Sequence, residues 1–202
     1  MNLFTNLGDL SRRDRDQEKL AIIDLAGERE RRFTYADLDG MARGVARALS
    51  ARGLARGDRI AILSANRTEF IAAYYGIMRA GFVAVPVNYR FPDATIEFIA
   101  RDAGARLMFC DPARREQCPP GIPVVCFGAD GAEGFAGFLD AGRFDALAAR
   151  PDEPAMFLYT SGSTGPPKGV MLSHQSHIWV VETRLDRICR ATAFWSRRRS
   201  IT

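Results

Sequence analysis

Residues 159–169 read Tyr159-Thr-Ser-Gly-Ser-Thr-Gly-Pro-Pro-Lys-Gly169, directly after the apolar run Met156-Phe157-Leu158. A strand that runs into a loop rich in glycine and hydroxyls is built to hold an anion. Glycine lets backbone N–H groups converge on an oxygen with no Cβ in the way. The hydroxyls of Thr160, Ser161, Ser163 and Thr164 add donors, and Lys168 adds a point charge on a long stem. The ligand implied is a polyphosphate, ATP first. A polar surface turn uses similar residues. A flexible linker, however, rarely ends Pro-Pro-Lys-Gly between two strand-like apolar runs. The spacing is not Walker A. Counting from Gly162, that pattern puts Gly-Lys-Ser/Thr at 167–169, where Pro167-Lys168-Gly169 stands. Nor is it the dinucleotide pattern G-x-G-x-x-G.

Outward from the loop, the chain alternates strand and helix signals. Thr34 opens a helix with Asp37 as its capping partner, and Leu38, Met41, Ala42, Val45 and Leu49 follow at helical spacing. Arg59 to Leu63 reads as a buried strand. A second helix starts at Asn66 to Glu69 and ends at Gly81; Phe82 to Val87 is the next strand. Pro92 suits the first turn of a third helix carrying Ile96, Ile99 and Ala103. Leu107 to Cys110, Val124 to Phe127, Met156 to Tyr159 and Val170 to Leu172 read as further strands, and a helix starts at Ser173 or His174. The expectation is an α/β fold, a parallel sheet covered on both faces and joined by right-handed crossovers. Residues 112–154 read as a surface excursion.

The stretch Tyr159 to His174 closely resembles the phosphate-binding signature of the adenylate-forming superfamily, which holds acyl-CoA synthetases, luciferases and peptide-synthetase adenylation domains. Upstream, Phe33-Thr-Tyr-Ala-Asp-Leu38, Gly57-Asp-Arg-Ile-Ala-Ile62, Asn66-Arg-Thr-Glu69 and Ala84-Val-Pro-Val-Asn88 look like that family's N-terminal landmarks, in order. The resemblance spans roughly residues 15–185. It implies the N-terminal part of the large domain of an AMP-forming acid–CoA ligase. A carboxylate would attack the α-phosphate of ATP, and the thiol of CoA would then take the acyl group, with Mg²⁺ assisting. Thr160, Ser161, Gly162, Ser163, Thr164, Gly165 and Lys168 match the loop that holds the phosphates, Lys168 as an electrostatic clamp. The resemblance assigns no catalytic or metal-binding residue here. The family's adenine-contacting Gly-Tyr-Gly-x-Thr-Glu segment, its ribose-binding Asp and its catalytic Lys have no counterpart in these 202 residues, so the chain is expected to be inactive alone. Another adenylating class, a peptide-synthetase domain or an aryl-acid ligase, is the alternative.

Composition limits other readings. Hydrophobic residues make up 47%, ordinary for a globular chain, and no apolar run nears the ~20 residues of a membrane span. Met1 to Leu10 leads into mixed charge with no cleavage site, so a cytoplasmic location is the default expectation. Cys110, Cys118, Cys126 and Cys189 form no C-x-x-C pair; Cys110 and Cys126 read as core residues, with no disulfide expected. His174 and His177 have no clustered co-ligands, and His174 reads as a polar helix start.

The net charge of +4 resides in residues 186–202, which hold five arginines and one aspartate. Residues 1–185 are neutral and no nucleic-acid partner is expected, though a basic arm for nucleic acid is the rival reading of the tail. The preferred reading divides the chain into an incomplete synthetase domain, 1–185, and a frame-shifted, non-homologous tail, 186–202. Read one nucleotide earlier, the tail admits an apolar run followed by Pro-Leu-Tyr-His, an element similar to one that follows the phosphate loop in the family.

Overall fold

The computed structural model describes residues 5–12, 16–27, 29–128, 131, 134–160 and 165–184. Eight strands are described: β1 (Leu20–Asp24), β2 (Arg31–Thr34), β3 (Arg59–Leu63), β4 (Val83–Val87), β5 (Ala105–Cys110), β6 (Val124–Cys126), β7 (Pro154–Thr160) and β8 (Lys168–Ser173). The helices are α1 (Tyr35–Ser50), α2 (Thr68–Arg79), α3 (Asp93–Asp102), the single turn α4 (Phe135–Phe138) and α5 over 174–184. Six strands form one sheet in the order β6-β5-β3-β4-β7-β8. Every pair is parallel except β7–β8, which is antiparallel. The expected mostly parallel α/β sheet is therefore present.

Two antiparallel units were not expected from the sequence. β1 and β2 make a separate two-stranded sheet. β8 turns straight back along β7, so the glycine-rich loop joins the strands of a hairpin. Single apolar runs such as Val170 to Leu172 carry no sign of strand direction, which is why periodicity did not separate hairpin from crossover.

Alternation along each strand builds two cores. Ile60, Ile62, Ala84, Leu107 and Phe109 face α1, α2 and α4, while Ala61, Leu63, Val85, Val87, Met108 and Cys110 face α3. That two-sided burial explains why the central strands read as continuous apolar runs. On the first face Phe109 stacks on Phe127 and meets Phe138 edge-on, with centroids 5.7 and 5.2 Å apart. The capping box at α1 forms as the sequence predicts. The Asp37 N–H donates to Thr34 Oγ1 at 3.2 Å, and the Thr34 N–H donates to Asp37 Oδ2 at 2.8 Å. Pro92 lies one position earlier than expected, as the N-cap of α3. α1 and α2 cross at Gly76, where a Cβ would stand 2.6 Å from the Ala42 carbonyl oxygen and from Val45 Cβ. At the same junction the fully buried Arg79 pairs with Asp39 at 2.7 Å and donates to the Gly8 carbonyl at 3.0 Å.

Candidate functional site: the β7–β8 hairpin

β3, β4, β5 and β7 run parallel, so their carboxyl ends share one edge of the sheet. Ligands of open α/β sheets collect outside that edge. β7 ends there at Thr160, and the chain returns at Lys168, its Cα partner across the hairpin. Facing residues of an antiparallel pair project to the same side. The Thr160 hydroxyl and the Lys168 ammonium therefore flank the mouth of the loop, and both residues are exposed. Gly165 has φ +159° and is exposed as well. Ser161, Gly162, Ser163 and Thr164 lie outside the described residues. Of the seven sequence-predicted site residues, the structure thus places Thr160, Gly165 and Lys168 on one hairpin.

The hairpin base is fixed from both sides. Tyr159 faces the α3 core, and its hydroxyl donates to Asp102 Oδ2 at 2.6 Å. Burial and that carboxylate both push the phenol above its usual range. Opposite, Gly169 leaves room for the ring: a Cβ there would stand 3.0 Å from Tyr159 Cζ. The hairpin's return is held by Glu153 and His174. Arg56 donates to both Glu153 oxygens at 2.6 and 2.7 Å, and the Glu153 carbonyl accepts from the His174 N–H at 3.0 Å.

His174 goes beyond the expected polar helix start. It begins α5, is 1% exposed, and its Nδ1 accepts the Leu7 N–H at 3.0 Å. Burial takes its pKa down to about 4, against the pull of Glu153. Beside it, Asn6 Nδ2 donates to the carbonyls of Met78 and Leu147, both at 2.8 Å. This network ties residues 5–9 to the strand that leaves the loop. Sequence reasoning missed Asn6, Arg56 and Glu153, whose partners lie 72 to 141 residues away.

The donors fit a triphosphate. An ammonium and a hydroxyl are hard hydrogen-bond donors suited to phosphate oxygens. Among the described residues no cluster of three or more His, Cys, Asp or Glu could hold a metal ion.

A family model described as AMP-binding enzyme matches residues 11–197. The chain belongs to this family. Among its curated relatives, a long-chain-fatty-acid–CoA ligase of Mycobacterium tuberculosis is 36% identical over 162 residues, covering 72% of the chain and 30% of the relative. An L-proline–[L-prolyl-carrier protein] ligase of Pseudomonas fluorescens is 33% identical over 163 residues, covering 78% and 33%. Among solved structures, ATP-bound MatB from Rhodopseudomonas palustris superposes with a TM-score of 0.73 at 33% identity, covering 85% of the chain and 35% of MatB. The chain spans about a third of the length of these relatives. No helix among its described residues is long and apolar enough to cross a membrane.

Proposed function

We propose that this chain is the phosphate-holding part of an ATP-dependent, AMP-forming carboxylic acid–CoA ligase of the cytoplasm. The observation that carries the reading is the register Thr160↔Lys168, which sets a hydroxyl and a cation together at the carboxyl edge of the sheet. Thr160, Ser161, Gly162, Ser163, Thr164, Gly165 and Lys168 would hold the β- and γ-phosphates. ATP and Mg²⁺, when bound there, would supply an activated α-phosphate and charge neutralisation. What the chain's own residues supply is position: Lys168 draws the leaving pyrophosphate's charge to itself, and the Tyr159–Asp102 bond with Gly169 keeps the strand ends from splaying. Donors preset where charge develops stabilise a transition state without reorganising.

A second reading changes the acceptor: the thiol of a carrier protein in place of CoA. The relative that acts on a prolyl-carrier protein favours it. ATP–pyrophosphate exchange with a panel of carboxylic acids tests the common core, on the chain extended to the full length of its relatives. Exchange that requires one class of acid, and falls about a hundredfold in Lys168→Ala, is expected. Release of ADP and phosphate, or exchange indifferent to Lys168, would overturn the proposal. Adding CoA or a phosphopantetheinylated carrier then separates the two acceptors.

A further inference from the structure

β8 is weakly held along its length. It pairs with β7, and among the described residues no strand lies on its other side. Val170 and Met171 stay exposed, so little apolar burial opposes its peeling away. The base of the hairpin is weaker still. There Ser173 faces Pro154, which has no N–H to donate, and the register is irregular between Pro154 and Met156. What secures that end is the next residue. The His174 N–H donates to the Glu153 carbonyl at 3.0 Å, and His174 Nδ1 accepts the Leu7 N–H at 3.0 Å.

The segment that supplies Leu7 is itself seated on several sides. Asn6 Nδ2 bridges the carbonyls of Met78, in the last turn of α2, and Leu147. Asn6 Oδ1 accepts the Gly8 N–H at 2.7 Å, and Thr5 Oγ1 accepts the Ala149 N–H at 3.1 Å. Gly8 lies flush on α2, where a Cβ would stand 2.5 Å from the Tyr75 carbonyl oxygen. Leu7 enters the core beside α1 and α2. Leu7 and His174 are both buried. Parting them leaves a donor and an acceptor unpaired out of reach of water, so the seated segment and the end of β8 stabilise one another.

We propose that Thr5–Gly8 is a clasp that regulates the phosphate site. Seated, it holds the base of β8 against β7 and keeps Lys168 opposite Thr160. Unseated, it lets β8 peel from its base and lets the ammonium leave the mouth of the loop. The consequence for phosphate rests on the reading of Thr160 to Lys168 as a phosphate-binding loop; the clasp itself rests on the hydrogen bonds of residues 5–8. Asn6 and His174 are then positioning residues that act through β8.

Hydrogen exchange of the nucleotide-free 202-residue chain, read by mass spectrometry with ATP affinity measured in parallel, tests this. His174→Ala removes the acceptor of the Leu7 N–H. Thr5→Ala is milder: it loosens the segment at its contact with Ala149, away from β8. His174→Ala should speed exchange over residues 168–173 about fivefold, the scale of one lost hydrogen bond, and Thr5→Ala should speed it less, while β3, β4 and β5 exchange as in the wild type. ATP binding should weaken in the same order. His174→Asn, which keeps an acceptor near the same place, should restore both readouts. Unchanged exchange over 168–173 in both alanine variants would overturn the proposal, even with ATP bound normally. So would faster exchange spread evenly over β3, β4 and β5 in Thr5→Ala, the mark of a general loss of structure. A wild-type chain that binds no ATP, with β8 freed in Thr5→Ala, would support the clasp and end the phosphate reading.

Discussion

Arg79 carries a full charge with no exposed surface, and Asp39 answers it at 2.7 Å. A buried pair is costly to break because the survivor keeps its desolvation penalty. Arg79→Ala should therefore lower stability by about 3–5 kcal/mol, read as a shift in the denaturant midpoint. His174 makes a second residue-scale prediction, with a definite sign. Its folded pKa of about 4 lies below the ordinary 6.5 because burial disfavours the charged form. The unfolded chain takes up the proton first, so the contribution of neutral His174 is complete above pH 6.5 and is lost as pH falls from 6.5 toward 4. Stability should fall across that window, with the Leu7 N–H released from Nδ1. In His174→Asn, whose side-chain oxygen keeps an acceptor near the same place, the slope over that window should flatten. Equal slopes in the two proteins would contradict the assignment.

The helix–helix and hairpin contacts define what each element tolerates. α1 and α2 touch through Gly76, where a methyl group would meet backbone and Val45 at 2.6 Å. Gly76→Ala should push the helices apart at a cost of about 1–3 kcal/mol, measured by thermal melting. Thr34→Ala removes one arm of the capping box and should cost about 1 kcal/mol, a clear but smaller shift. Elements of this kind were legible in the sequence. The boundaries of β3 and the cap of α1 emerge from periodicity and capping residues alone, because local rules govern them. The hairpin position of Thr160, Gly165 and Lys168 is local in the same way: the three lie within nine residues of one another. Strand direction was not legible. Whether Val170 to Leu172 pairs antiparallel with β7 depends on the turn between them and on Gly169 seating against Tyr159, a contact across the hairpin. The Asn6, Glu153 and His174 network was hidden likewise, since each member looks locally like an ordinary polar residue. The pairing of Cys110 with Cys126 across β5 and β6 was hidden by topology.

At the scale of the whole molecule, large apolar side chains are exposed around the hairpin: Leu158 (41%), Val170 (45%), Met171 (69%), Trp179 (65%) and Val180 (41%). Among the described residues β8 is also the last strand on its side of the sheet. Exposed apolar surface at an open edge invites association, so the isolated chain should aggregate. A concentration series by light scattering checks this, and a monomer stable throughout would count against it. The residues beyond Leu185 belong to the same question. We propose that the arginine-rich segment 186–202 arises from a shifted reading frame, although the family match runs on to residue 197. Sequencing the gene decides it: downstream DNA that continues the family in the other frame is expected, and its absence would end the idea.

The central claim is that Thr160 to Lys168 holds a triphosphate, and ATP titration of the purified chain tests it most directly. Calorimetry with Mg²⁺ present should give saturable binding that weakens about tenfold, roughly 1.4 kcal/mol, in Lys168→Ala, and more steeply at low salt than at high. Binding of equal strength in wild type and Lys168→Ala, or no binding by a folded chain, would contradict the account.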